Sequence, residues 1–282
     1  MTRTVRQAGR FASRRPAELA RATRGLFLAP VLAAFGLISA GPVAAEDLTQ
    51  TIRIVKPAVV AIGTYRKDRA PSAIIDGTGF VVGDGLTILT AAHVFGRKLA
   101  DFEHWVVFVG HGDEAQARDA QILCTDREHD IAVARVAPPA LPATKLAASE
   151  AEAEGRDIAL TGYPIGAILG LYPSTARGII SALVPAAIPQ NSGAALTPDT
   201  IRRLRQNFEV YQLDATAYPG NSGSPLYRID NGQVVGIVDS VYVKPTKEAA
   251  LASVIGTPSG ITYAIPIRYG RELLAKPGCG GI

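Results

Sequence analysis

Pro219-Gly220-Asn221-Ser222-Gly223-Ser224-Pro225-Leu226 is the most informative stretch of this 282-residue chain. A serine with glycine close on either side, in a tight turn ahead of an apolar strand, presents its hydroxyl without side-chain crowding. Main-chain N–H groups around such a turn can converge on one point and stabilise a negative oxygen there. Gly220, where the chain must turn most sharply, and Ser222 are the natural donors. Taken alone, Gly-Asn-Ser-Gly is also common turn chemistry, so an ordinary β-turn is the competing reading.

A serine nucleophile needs a base, and the base needs an orienting acid. The chain has four histidines: His93, His104, His111 and His129. His93 follows the apolar run Ile88-Leu89-Thr90-Ala91-Ala92, which puts it at a strand end, where site residues are commonly held. His104 and His111 fall in a polar segment and lack the i, i+4 spacing of a zinc helix. His129, inside Asp126-Arg127-Glu128-His129-Asp130, reads as a solvated turn residue. Asp130 stands at the mouth of Ile131-Ala132-Val133-Ala134, where it is either a turn residue or a buried partner for an imidazole.

Outward from these residues the chain is a series of short β-branched runs broken by Gly, Pro and Asp. There are 28 glycines and 19 prolines. Val59–Gly63, the pair Gly79–Val82 and Thr87–Thr90 around Gly83-Asp84-Gly85, Trp105–Val109, Ala120–Leu123 and Ile131–Val136 form the first half. Asp157–Leu160, Ala176–Val184, Glu209–Leu213, Gln233–Val238 and Gly260–Ile265 form the second. Strands at such spacing predict a barrel or sandwich rather than βαβ units. Helical signals are confined to Thr200–Asn207 and to Pro266–Ala275, the latter stopped by Pro277-Gly278. Ala137-Pro138-Pro139-Ala140-Leu141-Pro142 reads as a linker, dividing residues 46–137 from 138–282. Residues 185–208 are the longest stretch without strand character.

The net charge of +4 is misleading. Residues 1–45 hold seven arginines and one acid, so the remainder carries a net charge of −2. That leader has a basic start, an apolar run from Leu26 to Ile38, and small residues up to Ala45. These are the parts of a secretory signal peptide cleaved after Ala45. If it is retained, the uncharged span from Leu26 to Ala45 serves instead as a membrane anchor. With the basic excess confined to a leader, a nucleic-acid partner is not expected. Two cysteines, Cys124 and Cys279, are too few for a disulfide framework or a Cys-rich zinc site. One bridge between them and two unpaired thiols both remain open. No metal or cofactor is expected.

Taken together, His93, Asp130 and Ser222, in that order and with the linker between Asp and Ser, resemble the chymotrypsin-fold serine proteases. The likeness is nearest to the bacterial HtrA/Deg-like peptidases. It is carried by Gly77-Thr78-Gly79-Phe80-Val81-Val82, Ile88 to Val94, Asp130 to Val133, Gly162-Tyr163-Pro164, Arg177 to Leu183, Gln212 to Ala215 leading into Pro219 to Pro225, and Tyr263 to Ile267. This resemblance implies an all-β fold of two six-stranded antiparallel barrels with a short C-terminal helix, and a catalytic triad at the barrel interface. His93 and Asp130 would come from the first barrel, Ser222 from the second, and the Gly220 and Ser222 amides would form the oxyanion hole. The implied activity is that of an exported, periplasmic or secreted, serine endopeptidase acting on polypeptides. A catalytically silent module that binds peptides or a partner protein is the alternative.

The resemblance also implies departures. The PDZ modules usual in HtrA proteins have no counterpart after Ile267, so a protease unit without PDZ is expected. Asp239 stands where the family usually has a small hydroxyl residue. The pocket floor falls at Thr216 and Ala217, with no acid to favour Arg or Lys. Val238 occupies a wall position where glutamyl endopeptidases have histidine, and Val241 narrows the entrance. A small or medium apolar P1 residue is therefore expected. The oligomeric state is left open.

Overall fold

The computed structural model describes residues 48–165, 170–186, 208–239 and 261–280. The leader, the helical signal at 200–207, most of 185–208, and Val241 lie outside the described residues.

The β-branched runs pair into two closed barrels of six antiparallel strands each. The first holds β1 (Val59–Tyr65), β2 (Ala73–Val82), β3 (Thr87–Ala91), β4 (His104–Val109), β5 (Gln116–Asp126) and β6 (Ile131–Val136), ordered β1-β2-β3-β6-β5-β4. The second holds β7 (Asp157–Gly162), β8 (Ser174–Pro185), β9 (Glu209–Asp214), β10 (Pro225–Arg228), β11 (Val234–Asp239) and β12 (Ile261–Pro266). Its order, read from β7, is β7-β8-β9-β12-β11-β10, the same path repeated. Closure comes from the β1–β4 and β7–β10 ladders, so neither sheet leaves an open edge. A C-terminal helix, α2 (Ile267–Leu274), follows β12 directly.

Strand periodicity explains why so many runs are apolar at every position. Successive side chains point to opposite faces. In β1, Val59 and Ala61 join a core cluster that also contains Leu160, Leu213 and Ile237 of the second barrel. Val60 and Ile62 join a separate cluster with Ile88, Val107 and Val136. Both faces of β1 are covered, which removes the polar alternation of a half-exposed strand.

Two features depart from expectation. Leu48–Val55 forms a helix, α1, although Thr, Ile and Val dominate it. It is held by docking: Thr51 and Val55 are buried, and the Thr51 hydroxyl donates to the Ile229 carbonyl at 2.6 Å. The proline-rich connection is likewise no loose linker. Leu141 N–H donates to Gly85, Thr144 N–H to Val81, and Ala147 N–H to Val234, while Val234 N–H returns to Lys145. Glu152, further along it, is buried against the Arg228 guanidinium at 2.5 Å. The connection is thus a strap laced to both barrels.

Cys124 on β5 and Cys279 beyond α2 form a disulfide, with Cα atoms 5.4 Å apart and a sequence separation of 155. It settles the alternative left open above in favour of one bridge. Closing so long a loop restrains the unfolded chain and contributes about 2–4 kcal/mol.

The segment after His93 is fixed by a charged network. Ala100 N–H, the Thr64 hydroxyl and the Arg69 guanidinium all donate to the Glu103 carboxylate, while Arg97 bonds Thr64 and Asp76. These bonds, the Ala100 N–H first, hold the Glu103 pKa down to about 2 from 4.5. A depressed carboxylate pKa stabilises the fold above the unfolded value, and this is lost as pH falls through the folded value. Glu103→Gln is therefore expected to lower Tm at neutral pH. The gap from the wild type should narrow as pH falls from about 4.5 to about 2. Thermal unfolding across that range checks it, and a gap independent of pH contradicts it.

Candidate active site

His93 lies on a one-turn 3-10 helix, Ala92–Phe95, immediately after β3. Asp130 occupies the turn between β5 and β6, with a left-handed φ of +53°. The two grip each other twice. Asp130 Oδ1 accepts the main-chain N–H of His93 at 2.9 Å, and Oδ2 sits 2.5 Å from its ring Nδ1. The Asp130 carbonyl also accepts Ala92 N–H at 2.8 Å. The backbone at His93 is therefore tied to Asp130 as firmly as its ring.

Ser222 is buried at 4% exposure, in the turn that leads into β10. This turn packs on the end of β3. A side chain at Gly223 would strike the Thr78 carbonyl, the Thr90 hydroxyl and the Ala91 nitrogen. One at Gly77 would strike both Val94, the residue after His93, and the Ser222 carbonyl. Ser222 from the second barrel and His93 from the first thus flank the same short piece of β2.

The carbonyls of the turn are occupied one by one. Those of Tyr218 and Asn221 accept from Asn221 N–H and Ser224 N–H. Pro219 accepts from Ile165 N–H at 2.6 Å, and Ser222 from Thr78 N–H at 2.9 Å. Gly220 accepts from the Thr78 hydroxyl at 2.7 Å. In a trans peptide the N–H points opposite to the preceding carbonyl. Turning Pro219 C=O toward Ile165 aims Gly220 N–H the other way, and turning Asn221 C=O toward Ser224 does the same for Ser222 N–H. Gly220 needs a φ of +98° to lie flat against the Tyr163 carbonyl, which glycine allows.

Thr78 is the residue that reading the sequence passed over. Fully buried, it binds Gly220 and Ser222 and accepts Tyr163 N–H at 3.0 Å, joining the turn to the residue that follows β7. Its signal was a hydroxyl between two glycines, just ahead of the apolar run Phe80-Val81-Val82. Tyr163 lies buried across the barrel interface, its hydroxyl 3.4 Å from the Val59 carbonyl, and burial pushes that hydroxyl's pKa up to about 12.

The expected pocket residues are placed as follows. Thr216 lines a surface depression with Asp157, Arg177, Ile179 and Asp214, whose lining includes neither Ala217 nor Val238. Ala217 N–H donates to the Thr262 hydroxyl. Val238 is buried on β11, exchanging main-chain bonds with Gly223 and Ser224. Asp239, next along, is buried at 2% exposure and faces the pair: one of its carboxylate oxygens, one His93 nitrogen and one Asp130 oxygen lie within 4.8 Å of one another.

The other histidines lie elsewhere. His104 is exposed on β4, 3.3 Å from Asp119. His129 is not solvated. Its ring stacks on Tyr269 at 4.1 Å, meets Phe208 edge-on and bonds Asp126. Aromatic residues distant in sequence cover a histidine whose immediate neighbours are charged.

Residues 77–237 match the trypsin-like peptidase domain family. A probable periplasmic serine endoprotease DegP-like from Pseudomonas putida strain W619 is 31% identical over 202 residues, covering 72% of this chain and 34% of that protein. Serine protease HTRA1 from Xenopus laevis is 29% identical over 236 residues, covering 81% and 42%. The chain spans about a third to a half of the length of the curated relatives it matches. Among solved structures, the serine endoprotease from Yersinia pestis superposes with a TM-score of 0.54 at 25% identity, over 80% of this chain and 65% of that one. The HtrA-type protease AlgW with tripeptide gives 0.57 at 24% identity, over 80% and 62%, a likeness of fold.

Proposed function

Because this chain belongs to the trypsin-like peptidase domain family, we propose that it is an exported serine endopeptidase acting through Ser222, His93 and Asp130. His93 takes the Ser222 hydroxyl proton as Oγ bonds to the scissile carbonyl carbon. The oxygen that becomes negative is held by the N–H groups of Gly220 and Ser222. The imidazolium then gives the proton to the leaving amine as the C–N bond breaks. Water repeats the sequence on the acyl-enzyme and frees the new carboxyl end. Asp130 fixes the ring's orientation and stabilises the imidazolium. The observation that carries this reading is the double grip of Asp130 on His93. The scheme calls for no metal or cofactor.

Substrates are polypeptides. The absence of an acid at Thr216 and Ala217, with an apolar Val238 beside the turn, supports small or medium apolar P1 residues. The leader at 1–45, and relatives named as periplasmic, support a periplasmic or secreted location.

A fluorophosphonate probe on residues 46–282, followed by peptide mapping, tests the assignment. One adduct on Ser222 is expected. An adduct on another serine, or none while the protein is folded, rejects the enzyme and favours a peptide-binding module.

A further inference from the structure

We propose that His129 is a positioning residue of the same site: stacked on the C-terminal helix, its ring holds the turn that carries Asp130 and so governs the rate of the chemical step. The inference rests on the triad reading given above.

The turn between β5 and β6 is residues 127–130, and Asp130 is its last member. Arg127 and Glu128 are exposed, yet the His129 side chain beside them is only 15% exposed. The bonds that start the turn are local. Asp126 Oδ1 accepts the N–H groups of Glu128 and His129 at 2.9 and 3.2 Å. Asp130 comes after them, in the left-handed conformation from which both its oxygens reach His93.

The His129 ring ties this turn to the second half of the chain. Its Nδ1 lies 2.9 Å from Asp126 Oδ2, which orients the ring. The ring then lies on Tyr269 of α2, with centroids 4.1 Å apart and planes 16° from parallel. Phe208 meets it edge-on at 4.7 Å. Both aromatic partners are held by other contacts. The Arg268 guanidinium sits over the Tyr269 ring and donates to its hydroxyl, while the Phe208 carbonyl accepts Ala186 N–H. α2 buries Ile267, Leu273 and Leu274, and Cys279 beyond it is bonded to Cys124 on β5. A fixed aromatic surface thus stands against the residue that precedes Asp130. Stacked and edge-on rings are directional, so they restrain angle as well as distance.

The consequence is kinetic. Displacing one member of a reacting pair by about 1 Å can cost roughly 100-fold in rate. The expected pocket residues Thr216, Ala217 and Val238 belong to other elements, so loosening the 127–130 turn should act on kcat and spare KM.

Two substitutions separate the contacts of the ring. His129→Phe keeps the stack and gives up the bond to Asp126, whereas His129→Asn keeps a donor for Asp126 and gives up the stack. In steady-state kinetics on a peptide substrate, His129→Asn is expected to lower kcat roughly 10- to 100-fold with KM within about threefold. His129→Phe should stay within about threefold of wild type in both. Equal kcat in the three folded proteins overturns the inference, whatever happens to Tm, because the ring would then serve the fold alone. A loss equal in both variants, or confined to His129→Phe, overturns it too. Tyr269→Leu approaches the stack from the other side and serves if asparagine at 129 prevents folding. It should reproduce the loss, and the double variant should lose no more than either alone; additive losses overturn the stack as the shared cause. A last measurement needs no turnover. In Ser222→Ala protein the His93 Nδ1 proton, followed by NMR, should move upfield or exchange faster once His129→Asn or Tyr269→Leu is added, and an unchanged resonance overturns the inference. Failure of the triad reading would show instead as a wild type without a Ser222 adduct, and the NMR comparison would still decide the role of His129.

Discussion

Asp130→Asn is expected to lower kcat by roughly 10⁴-fold while leaving Tm within about 3 °C. The geometry makes this substitution unusually selective. Asp130 presents two acceptors to His93, one to the main chain and one to the ring. Asparagine keeps one oxygen and turns the other position into a donor. Whichever way the amide flips, one His93 N–H faces an NH2 group. If the main chain keeps the oxygen, the ring must present a bare Nδ1 and carry its proton on the opposite nitrogen. A ring in that tautomer cannot take the Ser222 proton. Folding is spared because Asp130 has a φ of +53°, a conformation that Asn tolerates as well as Asp. Alanine there would remove both bonds and add backbone strain, confounding the two effects. Steady-state kinetics beside thermal unfolding decide it. Activity within tenfold of wild type would mean that His93 is oriented by other contacts and that the triad reading is wrong.

The parts of this fold that could be read from the sequence are those whose causes are local. Val59 to Ile62 and Ile131 to Val136 announce strands because nearly every side chain in them is buried. His93, Asp130 and Ser222 stand out because each combines a reactive side chain with a strand end or a glycine turn. What stayed hidden depends on partners far along the chain. α1 is rich in β-branched residues, and its docking involves Ile229, 178 residues on from Thr51. The strap at 137–156 looks loose by its proline content, yet its restraints are main-chain bonds that composition does not record. Thr78 stands between two glycines, but nothing in that local pattern gives its partner. Its importance comes from a carbonyl 142 residues away. Asp239 was visible as an anomaly, but its direction was not, because strand parity says which face a side chain takes and not what awaits it there.

The Thr78 bonds act directly on the Ser222 turn, so a change there carries a large expected effect. Gly223→Ala is expected to destabilise the protein by about 3–5 kcal/mol and to slow fluorophosphonate labelling by roughly 100-fold or more. Two penalties combine. Gly223 has a φ of +85°, which costs an L-residue about 1–2 kcal/mol. The added methyl would also overlap the Thr78 carbonyl and the Thr90 hydroxyl. Neither can step aside, since that carbonyl already accepts the Thr90 hydroxyl at 2.7 Å and Thr78 is registered on β1 opposite Ala61. The turn itself must move instead, taking Ser222 away from His93 and loosening the Gly223 bond to Val238. Gly155→Ala is the matched control. Its φ of +81° is nearly the same, but nothing lies within 4 Å of the new methyl. It should lose only the backbone share, about 1–2 kcal/mol, and label at the wild-type rate. Urea unfolding and labelling rates of both variants separate strain from overlap. Equal losses at the two positions would show that the packing of the turn against β2 and β3 does not hold Ser222 in place.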